Sequence, residues 1–213
     1  MGRDENEGLT AEKHRSHPWH GVDPGPGLPA LVTAYIEIVP TDTVKYEVDK
    51  VSGILRMDRP QQYSNVCPSL YGFIPRTLCD ERVADLCRER TGRPHLVGDG
   101  DPMDICVLTE RAIAHGDILV PAIPIGGLRM IDSDEADDKI VAVLQADAAF
   151  GAFTDLSQLP AALVTRLEHY FLTYKMSPDR EDRIVEITGS YGCEEAHEAI
   201  RRSREDYTNR FGS

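Results

Sequence analysis

Between residues 32 and 144 the apolar side chains come in short runs of period two, broken by turn formers, and this rhythm constrains the fold most strongly. Residues 34–39 (Ala-Tyr-Ile-Glu-Ile-Val) and 44–48 (Val-Lys-Tyr-Glu-Val) both alternate, as half-buried strands do. The alternation puts Glu37 on one face of its strand and Lys45 with Glu47 on a shared face of the next. Ser52-Gly53 supplies a hairpin turn into a strand over 54–57. Further short strands are expected at 71–75, 105–108, 118–125 and 140–144. Residues 79–98 are charged, carry a helix over 81–90 and read as an insertion. After residue 160 the period changes. Leu163, Leu167, Tyr170, Phe171 and Tyr174 recur at helical spacing over 161–175. A strand over 183–187 then leads to a last helix over 194–210, whose opening acids suit its dipole. Many short strands separated by turns predict a closed or nearly closed antiparallel barrel. The expected class is mainly β with α: a small β-barrel with two or three helices packed outside it.

A chain of 213 residues fits one domain, here residues 31–213. Residues 1–30 are polar and rich in Gly and Pro, an extension that lies over the surface or stays mobile. The net charge of −13 excludes a nucleic-acid partner, because phosphate neutralisation needs basic surface. An acidic chain still binds an anionic substrate if metal ions invert the local field. Five scattered cysteines form no C-x-x-C pair, which reads as reduced thiols and not a disulfide framework. No apolar stretch approaches the ~18 residues a membrane helix needs, and the acidic start lacks the regions of a signal peptide. The expected location is cytoplasmic, with no membrane partner.

The run Asp99-Gly100-Asp101-Pro102-Met103-Asp104 places three carboxylates before the apolar strand at 105–108. Acids this close repel one another unless a cation sits among them, and crowded oxygen ligands select hard divalent ions. Gly100 and Pro102 suit a tight turn at the lip of a sheet. A second acidic loop, Asp132-Ser133-Asp134-Glu135-Ala136-Asp137-Asp138-Lys139, precedes the strand at 140–144. One acidic run is ordinarily a solvated face. Two that each feed a strand point to a shared cluster of metals, of the kind that clamps phosphate oxygens with ions about 3.5–4 Å apart. A calcium-binding EF-hand loop fails at 99–110, because Met103 and Asp104 occupy the fifth and sixth positions, where a ligand and a Gly belong. Candidate anion binders are Lys45, Arg59, Lys139, Tyr174 and Lys175, since Lys, Arg and tyrosine hydroxyls all hold phosphate oxygens. His14, His17 and His20 raise the alternative of a zinc site against that of a docked surface segment.

The Asp99–Asp104 run resembles the signature of the family I soluble inorganic pyrophosphatases. The segments Ile36-Glu37-Ile38, Lys45-Tyr46-Glu47, Asp58-Arg59, Tyr71-Gly72, Asp132 through Lys139 and Tyr174-Lys175 follow in the family's order. The resemblance spans roughly residues 32–190. It implies an OB-like five-stranded barrel and Mg²⁺-dependent hydrolysis of diphosphate, with several Mg²⁺ per site and Mn²⁺ or Zn²⁺ as candidate substitutes. By motif position, Asp99, Asp104 and Asp137 would hold the first metal, with Asp104 shared to a second. Asp132 and Glu47 would serve metals that arrive with substrate. Asp101 would accept the proton of the attacking water, and Glu37 would support the site. Lys45, Arg59, Tyr71, Lys139, Tyr174 and Lys175 would hold the phosphoryl groups. The chain departs from the bacterial pattern at Cys67 and Leu70, where the family has Tyr and Asn, so one hydroxyl is missing or comes from Tyr63. His17-Pro18-Trp19-His20 is similar to a motif of the longer eukaryotic forms. A homo-oligomer is implied, dimeric or hexameric.

Overall fold

The computed structural model describes residues 15–176 and 185–212. Its strands are β1 (Val32–Ile38), β2 (Val44–Val48), β3 (Leu55–Pro60), β4 (Leu70–Phe73), β5 (Val97–Gly98), β6 (Asp104–Leu108), β7 (Ile118–Asp132), β8 (Glu135–Ala136), β9 (Lys139–Leu144) and β10 (Val185–Gly192). The helices are α1 (Glu81–Thr91), α2 (Ala161–Thr173) and α3 (Cys193–Phe211). Five strands close a ring in the order β1-β4-β6-β9-β7, because β7 also pairs back to β1. This is the OB-like five-stranded barrel with three flanking helices. Strands β2 and β3 stand apart as a two-stranded ribbon. Among the described residues no helix is long and apolar enough to cross a membrane.

Four expectations need correction. The ring is not purely antiparallel: β6 and β9 pair in parallel, with Asp104 opposite Lys139. Strand β7 runs on past residue 125 to Asp132, bending at a register shift between Pro124 and Gly126. That bulge and the Gly126-Gly127 pair interrupt the period-two signal, and the partners β9 and β10 supply the order that local pattern does not. The strand expected at 183–187 continues instead to Gly192, while residues 183 and 184 lie outside the described residues. Its polar Thr188–Gly192 stretch reads as a turn by composition but is held by pairing with β7. Helix α2 stops at Thr173, which leaves Tyr174 and Lys175 just past its last turn.

Successive residues of β6 and β9 point to opposite faces, and each face has its own core. Ile105, Val107, Ile140 and Ala142 pack with Leu86 of α1 and Ala196, Ala199 and Ile200 of α3. Cys106, Leu108, Val141 and Val143 pack with Leu167, Tyr170 and Phe171 of α2. Residues 79–98 are built onto the first face. The buried carboxylate of Asp206 in α3 accepts N–H bonds from Asp80, Arg82 and Val83 at 3.1–3.2 Å, which satisfies the free donors at the start of α1. The chain then adds β5 in parallel to β8.

From Arg15 to His20 the described part of the N-terminal segment is docked. Trp19 is buried and its Nε1 donates to the Thr77 carbonyl at 2.7 Å. His20 Nδ1 lies 2.8 Å from the Tyr207 hydroxyl, and His17 Nε2 lies 3.2 Å from the Lys50 carbonyl. The two histidines are thus spent on docking, the second of the two alternatives, and His14 lies outside the described residues.

Candidate active site

The site forms on the α2 face, where β1, β4, β6 and β9 meet the ribbon. Pairing of β1 with β4 slips between Ile36 and Ile38, so Glu37 is the extra residue of a bulge. That slip turns its side chain toward the ribbon, where Oε1 accepts the Val48 N–H at 2.6 Å. Gly72 allows the two strands to close: a Cβ there would lie 1.8 Å from the Tyr35 carbonyl oxygen. Its neighbour Tyr71 donates to Asp104 Oδ2 at 2.7 Å.

The aspartate loop is folded by its own chain. Asp99 Oδ1 accepts the Asp101 N–H at 2.9 Å, and Gly100 takes a φ of +73° that L side chains resist. Cys79 clamps the loop from outside, its N–H to the Asp101 carbonyl at 2.7 Å and its carbonyl to the Gly100 N–H at 2.9 Å. Thr77 Oγ1 accepts the Met103 N–H at 2.9 Å. This is the tight turn at a strand lip that Gly100 and Pro102 predict.

Most acids of the group meet a basic side chain, whereas Glu37 and Asp99 accept backbone N–H groups instead. The Lys139 ammonium, almost fully buried, bridges Asp104 and Asp137. Lys175 pairs with Asp132, Lys45 with Glu47, and Lys50 with Asp101. Asp58 sits 3.6 Å from Lys45 and also pairs with Arg59. Burial works against the charge on Lys139, yet Asp104 and Asp137 outweigh it and hold its pKa well above the lysine range. Burial raises the carboxyl of Glu37 to about 8 against the pull of the Val48 N–H. Asp99 and Asp137 are also raised, by burial first and then by neighbouring carboxylates. Clustered acids with pKa values pushed up are the signature of groups that gain from a cation.

A cavity of about 380 Å³ opens between the ribbon and the ring. Glu37, Lys45, Glu47, Tyr71, Asp101 and Asp104 all line it. Asp137 and Lys139 join it through Asp104, and Asp99 lies close enough to Asp137 for their charges to repel. Tyr174 lies beside Lys139 and Asp137, and the Lys175 ammonium sits 5.4 Å over the Tyr174 ring. Asp132 and Lys175 therefore form a second pair adjoining this group. Arg59 stays on the ribbon beside Asp58.

Sequence reasoning passed over Lys50, Arg56 and Trp19, all of which line the cavity. A two-residue turn at Ser52-Gly53 would set Arg56 across from Asp49; the loop instead spans residues 50–53, closed by the Asp49 N–H on the Ile54 carbonyl, and sets Arg56 directly across from Glu47, 3.9 Å away. Cys67 is fully buried, its thiol pushed up to about 11 by burial, and Leu70 is a core residue. Neither reaches the cavity, and the Tyr63 side chain is mostly exposed.

Among the described residues no three acid, thiol or imidazole groups already converge on one point as a metal cage would. The donor set nevertheless fits a hard divalent ion chemically. It is all carboxylate, burial and neighbouring carboxylates raise Asp99 and Asp137 within it, and the Lys139 ammonium stands where a cation is needed.

Residues 34–208 match a family model described as inorganic pyrophosphatase. An inorganic pyrophosphatase of Chlamydia trachomatis is 47% identical over 200 residues, covering 92% of this chain and 96% of that one. A soluble inorganic pyrophosphatase of Oryza sativa is 36% identical over 198 residues, covering 92% and 82%. The crystal structure of inorganic pyrophosphatase from Thermus thermophilus superposes with a TM-score of 0.76 at 26% identity, covering 91% of this chain and 99% of that one.

Proposed function

Since the chain belongs to the inorganic pyrophosphatase family, we propose that it hydrolyses inorganic diphosphate to two orthophosphates with Mg²⁺. The observation that carries the reading is Asp104. This one carboxylate receives the Tyr71 hydroxyl and the Lys139 ammonium and lines the cavity together with Asp101. Metal ligands and phosphate ligands thus interlock at one residue.

Phosphoryl transfer needs positioning and charge neutralisation above all. Lys45, Arg59, Tyr71, Lys139, Tyr174 and Lys175 hold the oxygens of the two phosphoryl groups. Asp101, about half exposed on the cavity wall, takes the proton of the attacking water. Glu37 fixes the ribbon by its bond to the Val48 N–H, so that Lys45 and Glu47 stay over the ring. Mg²⁺ held by Asp99, Asp104 and Asp137, with Asp132 and Glu47 receiving ions that come with the substrate, would neutralise phosphate charge and lower the pKa of water. Mn²⁺ or Zn²⁺ would fit the same oxygens less selectively. The reading extends to a cytoplasmic homo-oligomer. The free cysteines support the first part, and exposed Val51, Ile54 and Met57 on the ribbon support the second.

Phosphate release is the test. Diphosphate with Mg²⁺ is expected to give two equivalents of orthophosphate, with little from nucleoside triphosphates or polyphosphate. Comparable rates on all three would replace this reading with a general phosphohydrolase, and no release at all would leave a binding module on the same fold.

A further inference from the structure

Asp137 and Lys139 belong to the proposed site, and Asp138 between them does not. In the short link between β8 and β9, Asp138 turns to the α1/α3 face, where it is only 3% exposed. Its Oδ2 accepts from Arg129 Nη2 at 3.0 Å and from the Tyr191 hydroxyl at 2.9 Å. Arg129 is 4% exposed. Its Nε also donates to Asp138 Oδ2 at 3.3 Å, and the same Nη2 lies 2.9 Å from Glu195 of α3. Nη1 donates to the Leu86 carbonyl of α1 at 3.4 Å, and the guanidinium lies 4.9 Å from the Tyr191 ring centre. Glu195 also takes Arg90 of α1 at 3.1 Å. One buried guanidinium therefore joins β7, β10, α1 and α3 to the residue between two site residues.

A buried ion pair is a poor way to gain stability, because well-packed apolar residues of similar volume often do as well or better. Its use here fits specification of geometry. The backbone beside Asp138 is pinned to β7, with the Asp137 N–H on the Met130 carbonyl at 3.0 Å and Lys139 paired with Leu128. Asp137 and Asp138 form a two-residue link between β8 and β9, too short to turn independently, so holding Asp138 on one face restrains the direction of Asp137 and Lys139 on the other.

We propose that Arg129, Asp138 and Tyr191 form a positioning unit that aims Asp137 and Lys139 into the divalent-cation and phosphate site from behind the sheet. This rests on the diphosphatase reading above. None of the three touches substrate, so they act only through the two residues they aim. Segment 79–98 enters the unit through Leu86 and Arg90 of α1.

The test is Mg²⁺ binding by calorimetry on the full chain. The double variant Arg129→Met with Asp138→Leu keeps the local net charge and replaces the pair with packed apolar groups. Its thermal midpoint is expected at or above that of the parent, while Mg²⁺ binds about tenfold more weakly, the usual size of an outer-shell loss. Asp138→Asn keeps an oxygen for Tyr191 and Arg129, and it is expected to bind Mg²⁺ within about threefold of the parent. Unchanged Mg²⁺ affinity in the double variant would overturn the proposal, and so would an Asp138→Asn variant as weak as the double one. If the double variant does not fold, Tyr191→Phe serves. It removes one hydroxyl and is expected to weaken Mg²⁺ at an unchanged midpoint, and unaltered binding there counts against the unit. Parent protein that binds Mg²⁺ yet releases no phosphate from diphosphate would refute the functional reading alone.

Discussion

The three residues Asp137-Asp138-Lys139 carry two charge clusters built from the same parts and put to opposite uses. On the α2 face, Lys139 bridges Asp104 and Asp137 beside further acids, next to an open cavity. On the α1/α3 face, Arg129 meets Asp138 and Glu195, and Arg90 takes Glu195 from α1. Tyr191 donates to Asp138 Oδ2, which leaves only Oδ1 of that carboxylate unbonded among the described residues. Burial raises the acids on both faces. The difference lies in surplus. Beyond the bridging ammonium the α2 face has more carboxylates than cations, so it gains from an added divalent ion. The other face is balanced and gains nothing from one. Surplus charge beside a cavity makes a binding site, whereas matched charge around a buried pair makes a strut.

The comparison breaks most sharply at Asp104. Asp104→Ala removes the carboxylate shared by Tyr71 and Lys139, and should lower both Mg²⁺ affinity and turnover by on the order of a hundredfold or more. Calorimetry and a phosphate assay read the two losses separately. Lys139→Met leaves two buried acids without their cation, which should cost about 3–5 kcal/mol of metal-free stability. Arg129→Met should cost a similar amount, about 3–5 kcal/mol, for the same reason. Added Mg²⁺ should restore much of the stability of the Lys139 variant and little of that of the Arg129 variant. Equal rescue of the two in thermal melts would erase the distinction between the faces.

A pH series sharpens it further. Burial lifts Glu37 to about 8 and raises Asp99 and Asp137 above the usual carboxylate range. The folded chain then keeps protons that the unfolded chain has released, so metal-free stability should fall as pH rises from about 5 toward 9. Mg²⁺ should flatten that slope, because the ion takes the place of the protons. A metal-free melting temperature that climbs over this range would contradict the assignment. The smallest effect belongs to an ion pair on neither face. Arg93 meets Glu186 at 2.9 Å on the exposed edge, and Arg93→Gln should change stability by less than about 1 kcal/mol and activity not at all.

Most of the barrel and the α2 face were legible in the sequence, since period-two runs and closely spaced acids are local signals. Glu37 was named, but the bulge that aims it depends on pairing with Tyr71 and Gly72 and leaves no mark in the chain. Lys50 and Trp19 were missed because their importance lies in contacts with Asp101 and Thr77, 51 and 58 residues away. The far reach of β7 and β10 was hidden by glycines that pairing tolerates and pattern does not. Arg129 lies beyond the strand expected at 118–125 and carries no local signal. Only the fold shows that its partner sits between two site residues, on the other side of the sheet.

Asp101→Asn tests the central claim most directly, because it removes the proposed base while leaving Asp99 and Asp104 in place. With diphosphate and saturating Mg²⁺, the variant should release phosphate about 10²- to 10⁴-fold more slowly than the parent, the range expected for losing a general base. Its Mg²⁺ affinity should stay close to that of the parent. Phosphate release at the parent rate would contradict the account.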